Sequence, residues 1–315
     1  MNIERYDQDR FFGEVRGIKI DNSYDLYTLN KYKKIIKEDN VDFIFSQDYD
    51  LSYLINFPNI KYLSLSEVED IKHIYHLKNL IGLRINSKYL NELDLLYFEN
   101  LKFIDIIEDE YNRIRNYDKL RNIENICLEQ CDISNLKIIN GFEVKNLQII
   151  FCNKINLLNG LETLKNIECL HLEYCSKLVD IEHLKFTKMS LKSLSIIDCP
   201  KIQNIDFIFE LNNLESLYLM NDEFRGGIQL KSLAFINNMK NLKKFKTSYK
   251  IIDGDLKPLL RLKDVSILRF FKNYNLSDKD LPHEYVIFDD GKSQKLIKVD
   301  LIDQGINNPN IIWLK

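Results

Sequence analysis

The sequence predicts an α/β repeat solenoid. Three observations lead there. The stretch Leu161–Cys175, LETLKNIECLHLEYC, spaces Leu161, Leu164, Ile167 and Leu170 by three residues and then sets Leu172 two residues on. That phrase returns along most of the 315 residues. Gly (10) and Pro (5) are scarce, which argues against long flexible linkers between units.

Each element follows in chain order. FFGEVRGIKI, ending at Ile20, reads as a short strand pair from its Gly and β-branched content. YDLYTLNKYKKIIKE (24–38) reads as an amphipathic helix. Together, residues 1–40 are expected to cap the N-terminal end. Residues 41–272 form the array. Its strand anchors are Phe43, Leu63, Leu83, Ile104, Ile126, Leu147, Leu170, Leu194, Leu217, Phe245 and Leu268, eleven units with a period of roughly 20–24 residues and one longer unit. Each has a partner two residues on: Phe45, Leu65, Ile85, Ile106, Leu128, Ile149, Leu172, Ile196, Leu219, Thr247 and Phe270. Residues i and i+2 of a strand share one side, so these pairs point inward. The three-residue spacing before each strand suits a 3₁₀-like return segment. One unit cannot cover its own apolar side, so neighbours stack, with a parallel sheet on the concave side. Residues 273–315 are expected to cap the other end, with a hairpin at 284–299 around Asp290–Gly291.

The repeat resembles the leucine-rich repeat family in its short bacterial, internalin-type form. The pattern LxxLxxLxxLxLxxN/CxIxxIxxL is matched in Leu164–Ile181 and Leu211–Leu219, and the resemblance covers about residues 41–272. It implies a horseshoe with a ligand-binding surface, not a reaction. IIDGDLKPLLRLKDVSILRFFKNYN (251–275) is similar to the closing repeat of a group of cytosolic bacterial repeat proteins, some of them found in toxin–immunity contexts. That second resemblance implies neutralisation of a toxin as one form of binding.

Composition bounds the partners. Lys plus Arg is 44 and Asp plus Glu is 47, a net charge of −3, which gives no general attraction to nucleic acid or anionic membrane. No apolar run suits a signal peptide or a membrane span, so a cytoplasmic, monomeric protein with reduced thiols is expected. Cys131, Cys152, Cys175 and Cys199 share one repeat position and are expected to stack as buried thiols, although their spacing also allows disulfides. Without a CxxC pair or clustered His, zinc is not expected, nor any other cofactor.

The outward positions are the candidate site. One row reads Ser64, Arg84, Asp105, Cys127, Gln148, His171, Ser195, Tyr218, Lys246 and Arg269. A second reads Ser66, Asn86, Ile107, Glu129, Ile150, Glu173, Ile197, Met220, Ser248 and Phe271. From these rows and the flanking aromatics, the expected partner-binding residues are Ile150, Phe151, His171, Tyr174, Ile197, Tyr218, Met220, Lys246, Tyr249, Arg269 and Phe271, types enriched at interface centres. A register slip of one would bury them instead. Glu124, Glu129, Glu168 and Glu173 make the middle of this face acidic, and Lys243, Lys244, Lys246, Arg269 and Lys272 make its C-terminal part basic. Asn221–Leu230, inside the long unit, is a second contact candidate.

The expected function is therefore a non-enzymatic scaffold gripping a protein partner on its concave face. One alternative is a thiol enzyme using Cys169 with His171, which both point outward from one strand. Another is a purely structural or oligomerising array. No phosphate loop, HExxH or GxSxG occurs.

Overall fold

Two apolar residues flanking one outward residue define each strand, and this pattern builds a single continuous sheet. The computed structural model describes residues 5–9, 13–20, 26–47, 50–66, 68, 70–86, 93–108, 114–116, 122–140, 143–221, 229–267 and 275. The strands are β1 (Arg5–Asp9), β2 (Gly13–Ile20), β3 (Phe43–Ser46), β4 (Tyr62–Leu65), β5 (Gly82–Asn86), β6 (Leu93–Asp94), β7 (Phe103–Ile107), β8 (Ile114–Arg115), β9 (Asn125–Glu129), β10 (Asn146–Ile150), β11 (Cys169–Glu173), β12 (Ser193–Ile197), β13 (Ser216–Met220), β14 (Lys244–Thr247) and β15 (Asp264–Ile267). The order β1-β2-β3-β4-β5-β7-β9-β10-β11-β12-β13-β14-β15 gives twelve parallel strands with β1 antiparallel at one edge. β6 and β8 pair separately. The helix α1 spans Leu26–Glu38, and its Ile35 and Ile36 pack on the core.

The register aligns Leu63, Leu83, Ile104, Ile126, Leu147, Leu170, Leu194, Leu217 and Phe245 as one inward row, with Leu65, Ile85, Ile106, Leu128, Ile149, Leu172, Ile196, Leu219 and Thr247 as the second. The ends of the array depart from the expected register. In β3, Ile44 pairs with Leu63, so Ile44 and Ser46 face the core and Phe43 and Phe45 face outward. Ser46 Oγ accepts from the Tyr53 hydroxyl at 2.6 Å, which satisfies a buried polar group. In β15, Val265 pairs with Phe245 and Ile267 with Thr247, so these, not Leu268 and Phe270, continue the rows. β2 is itself the first parallel strand, with Ile18 and Ile20 in register with Ile44 and Ser46.

Short 3₁₀ segments form the opposite, convex side, and a polar side chain caps many of them. The carboxylate or amide oxygen of Asp70, Asp94, Asn135, Asp180, Asn204 and Asp255 accepts the N–H two residues on at 2.7–3.1 Å, binding a donor that the tight turn leaves unpaired. A second ladder stitches neighbouring repeats: Asn100 Nδ2 donates to the carbonyl of Lys78 at 2.9 Å, and Asn213 Nδ2 to that of Met189 at 2.9 Å. The hairpin expected at 284–299 lies outside the described residues, as do Arg269, Phe271, Lys272 and 222–228 of the Asn221–Leu230 segment.

Candidate partner-binding surface

Outward rows alternate with the core rows, so the concave face is read strand by strand. The central row runs Lys19, Phe45, Ser64, Arg84, Asp105, Cys127, Gln148, His171, Ser195, Tyr218 and Lys246. The register of the middle repeats is the expected one. Exposure is not. His171 and Ile150 are each only 2% exposed, Met220 is 9% exposed, and Tyr249 lies in the main core at 2%. For His171, Ile150 and Met220, which keep their outward register, no slip causes this. Neighbouring outward side chains stand about 4.8 Å apart and cover one another.

The N-terminal part of the face is closed over by its own apolar residues. Ile150 and Cys127 cluster with Val15, Phe43, Phe45, Tyr62 and Phe103. Gly82 sits in register between Tyr62 and Phe103 and has no side chain to separate them. The two rings meet across it edge to face, 6.4 Å apart. Beside them, Arg84 Nε donates to Asp105 Oδ2 at 2.6 Å, a charge pair with the carboxylate fully buried.

The middle of the face is polar. His171 Nε2 and Glu173 Oε2 lie 2.9 Å apart. Gln148, His171 and Ser195 are lateral neighbours in the sheet, and Gln148 Nε2, His171 Nδ1 and Ser195 Oγ each lack a hydrogen-bond partner. Toward the C-terminal end, the Lys246 ammonium lies over the Tyr218 ring at 5.3 Å. Burial lowers the Lys246 pKa and pushes that of Tyr218 up to about 12. Ile197, Tyr218 and Lys246 are half-buried.

Charge at the leading edge of the strands offsets three of the four acids expected to make the middle acidic, Glu124, Glu168 and Glu173. Glu124 pairs with Lys145 at 2.9 Å, Glu168 with Lys192 at 2.8 Å and Glu215 with Lys243 at 2.5 Å. Each carboxylate is bonded to a lysine one repeat further on, so Glu124 and Glu168 are neutralised locally and Glu173 is held by His171. Lys243, expected to add to the basic end, is neutralised in the same way.

The trailing edge carries an unusual backbone. Glu108, Gln130, Phe151, Tyr174 and Asp198, one in each successive repeat, have φ of 50–56°. Left-handed backbone is uncommon for such residues. It persists because each N–H donates to the carbonyl that ends the next strand: Glu129, Ile150, Glu173, Ile197 and Met220, at 2.8–3.0 Å. On this edge the Phe151 and Tyr174 rings stack with centroids 4.5 Å apart and planes 3° apart, and Phe151 is 38% exposed. Directly inside the turn lie the four ladder cysteines, all buried and none in a disulfide. Cys131 Sγ donates to the carbonyl of Ile106 at 3.3 Å, Cys152 to Leu128 at 3.3 Å and Cys175 to Ile149 at 3.6 Å. These three thiols thus close the turn by binding the preceding repeat, while Cys199 Sγ donates to the carbonyl of Ile197 in its own repeat at 3.4 Å. This ladder of positive φ was not visible in the sequence, because Glu, Gln, Phe, Tyr and Asp share no turn signature; the cysteine that follows each of the last four is the only marker.

The thiol arrangement needed for nucleophilic catalysis is not assembled. Burial, and then Glu168, push the Cys169 pKa up to about 12, and His171 directs Nε2 to Glu173. Cys127 is buried, not exposed as expected, and its pKa is raised by burial and by Asp105. A thiol held neutral is a poor nucleophile. Among the described residues, no group of His, Cys, Asp or Glu could hold a metal ion, and no helix is long and apolar enough to cross a membrane.

No family model and no curated protein matches the chain. Solved structures do. An internalin, InlF, of Listeria monocytogenes is similar at a TM-score of 0.51 and 16% identity, over 86% of this chain and 78% of that one. A leucine-rich repeat protein of Leptospira interrogans is similar at 0.44 and 18%, over 79% and 76%. Internalin C2 of Listeria monocytogenes is similar at 0.41 and 21%, over 67% and 80%. With its parallel sheet, 3₁₀ returns and repeat period, this chain has the leucine-rich repeat solenoid fold in its short, internalin-like form.

Proposed function

We propose that this solenoid binds a protein partner across the middle and C-terminal part of its concave face and along the trailing edge, and catalyses no reaction. The observation that carries the reading is the Phe151–Tyr174 stack. Two aromatic residues occupy strained left-handed positions where Asn or Gly would be cheaper, and Phe151 stays exposed. Rigid aromatic anchors at low entropic cost are what interface centres use. Next to them, the half-buried Glu173 and Ile197 continue the surface open to a partner. Lys244, Lys246 and Lys263 favour an acidic patch on the part of the partner that meets β14 and β15.

A toxin as that partner is the specific form suggested by residues 251–275. Backbone-bonded thiols outside any disulfide support a monomer working in a reducing cytoplasm. The test is quantitative affinity capture. Phe151→Ala with Tyr174→Ala should lose a captured protein that the wild type retains, while Met189→Ala on the convex side, where Met189 is 82% exposed, should retain it. Equal capture by all three would remove this reading.

A further inference from the structure

At the N-terminal end of the sheet, a cleft of about 1240 Å³ opens between β1–β2, the second half of α1 and the loop leading into β4. Four cations from three elements line it: Arg16 on β2, Lys33 and Lys37 on α1, and Lys61 just before β4. Lys33 and Lys37 are four residues apart and share one helix face. None of the four is in an ion pair. Three lysines at the same leading-edge position as Lys61 differ from it. Lys145, Lys192 and Lys243 are each bonded to a Glu of the preceding repeat. The corresponding acid before Lys61 is Asp42, and its Oδ1 instead accepts the Arg16 N–H at 2.9 Å. Among the described residues on the wall the acids are Asp42 and Glu14, against four cations, which leaves an excess of positive charge.

We propose that this cleft is a binding site for an oligophosphate, a chain of two or more phosphate groups. Unpaired lysines are point charges suited to phosphate oxygens. Their spread over three elements around a wide opening fits several linked anionic groups better than one carboxylate. The site is separate from the concave face and stands or falls independently of it.

Titration calorimetry of the full chain at low salt tests this with inorganic tripolyphosphate and with ATP as probes. Both should bind at one site per chain, and tripolyphosphate should displace ATP. Lys33→Gln and Lys61→Gln should each weaken tripolyphosphate binding tenfold or more, and Lys145→Gln should leave it unchanged. Competition on the wild type needs no variant, so it decides the matter even if a substitution perturbs folding. The proposal is overturned by absence of saturable heat, by binding of ATP that tripolyphosphate does not displace, or by an equal loss in Lys145→Gln.

Discussion

Phe151 and Tyr174 lie face to face, 4.5 Å between centroids and 3° from parallel, although both hold positive φ at the ends of adjacent strands. The stack and the backbone oppose one another energetically. Left-handed backbone costs about 1–2 kcal/mol per residue, and an aromatic pair returns about 0.5–1.5 kcal/mol. Phe151→Gly removes both terms at one position and should leave the urea midpoint within the equivalent of about 1 kcal/mol, while partner capture drops. A large loss of stability would show that the ring packs more tightly than its exposure indicates.

Gly160 should tolerate no side chain. Its φ is 106°, and an added Cβ would meet the Leu136 carbonyl carbon at 2.6 Å and the Lys137 nitrogen at 2.7 Å, both backbone atoms of the preceding repeat. Gly160→Ala should therefore cost about 2–4 kcal/mol from backbone strain and overpacking. Chemical unfolding compared with Ala substitution at the exposed Lys165 would check it.

Cys169 should behave as an inert thiol. Its pKa of about 12, against an ordinary 9.0, means that iodoacetamide at pH 8 should alkylate it far more slowly than a free thiol in the unfolded chain. The linkage has a definite sign. The folded pKa is raised, so the stabilising contribution is complete below pH 9 and is lost as pH rises toward 12. Cys169→Ser should flatten the fall in melting temperature over that alkaline window; an unchanged slope would refute the assignment.

Individual pairs of the leading edge should matter little. The Lys145 side chain is exposed, and its raised pKa comes from the Glu124 hydrogen bond. Lys145→Gln should shift stability by less than about 0.5 kcal/mol, and less still at high salt. A loss several times larger would mean that the pairs act as one network.

Much of this architecture was legible because it repeats. The paired inward residues from Leu63 to Thr247 stand in the register that their spacing indicates. The ends were misread for a physical reason. Phe43 and Phe45 alternate as well as Ile44 and Ser46 do, and bulk suggested the core, whereas the core took Ile44 and left the phenyl rings to cover the outer face. In DVSILRF, Val265/Ile267 and Leu268/Phe270 offer two overlapping alternations, and pairing with β14 selects the first. Burial within the outward rows was not legible at all. Whether Ile150 or His171 reaches solvent depends on what stands on the adjacent strand, some twenty residues away. The same holds for charge: Glu124 and Lys145 look independent in sequence and become partners only when their repeats stack.

That stacking has a consequence for how such a chain can lengthen or shorten. Along the leading edge the signs run Glu124, Lys145, Glu168, Lys192, Glu215, Lys243, so the electrostatic unit is two repeats while the backbone unit is one. Excising the single repeat that carries Lys145 would set Glu124 against Glu168; excising that repeat together with the next would restore alternation. From Glu124 to Lys243 the array is a string of doublets, and changes in even numbers of repeats within that stretch keep its pairing intact.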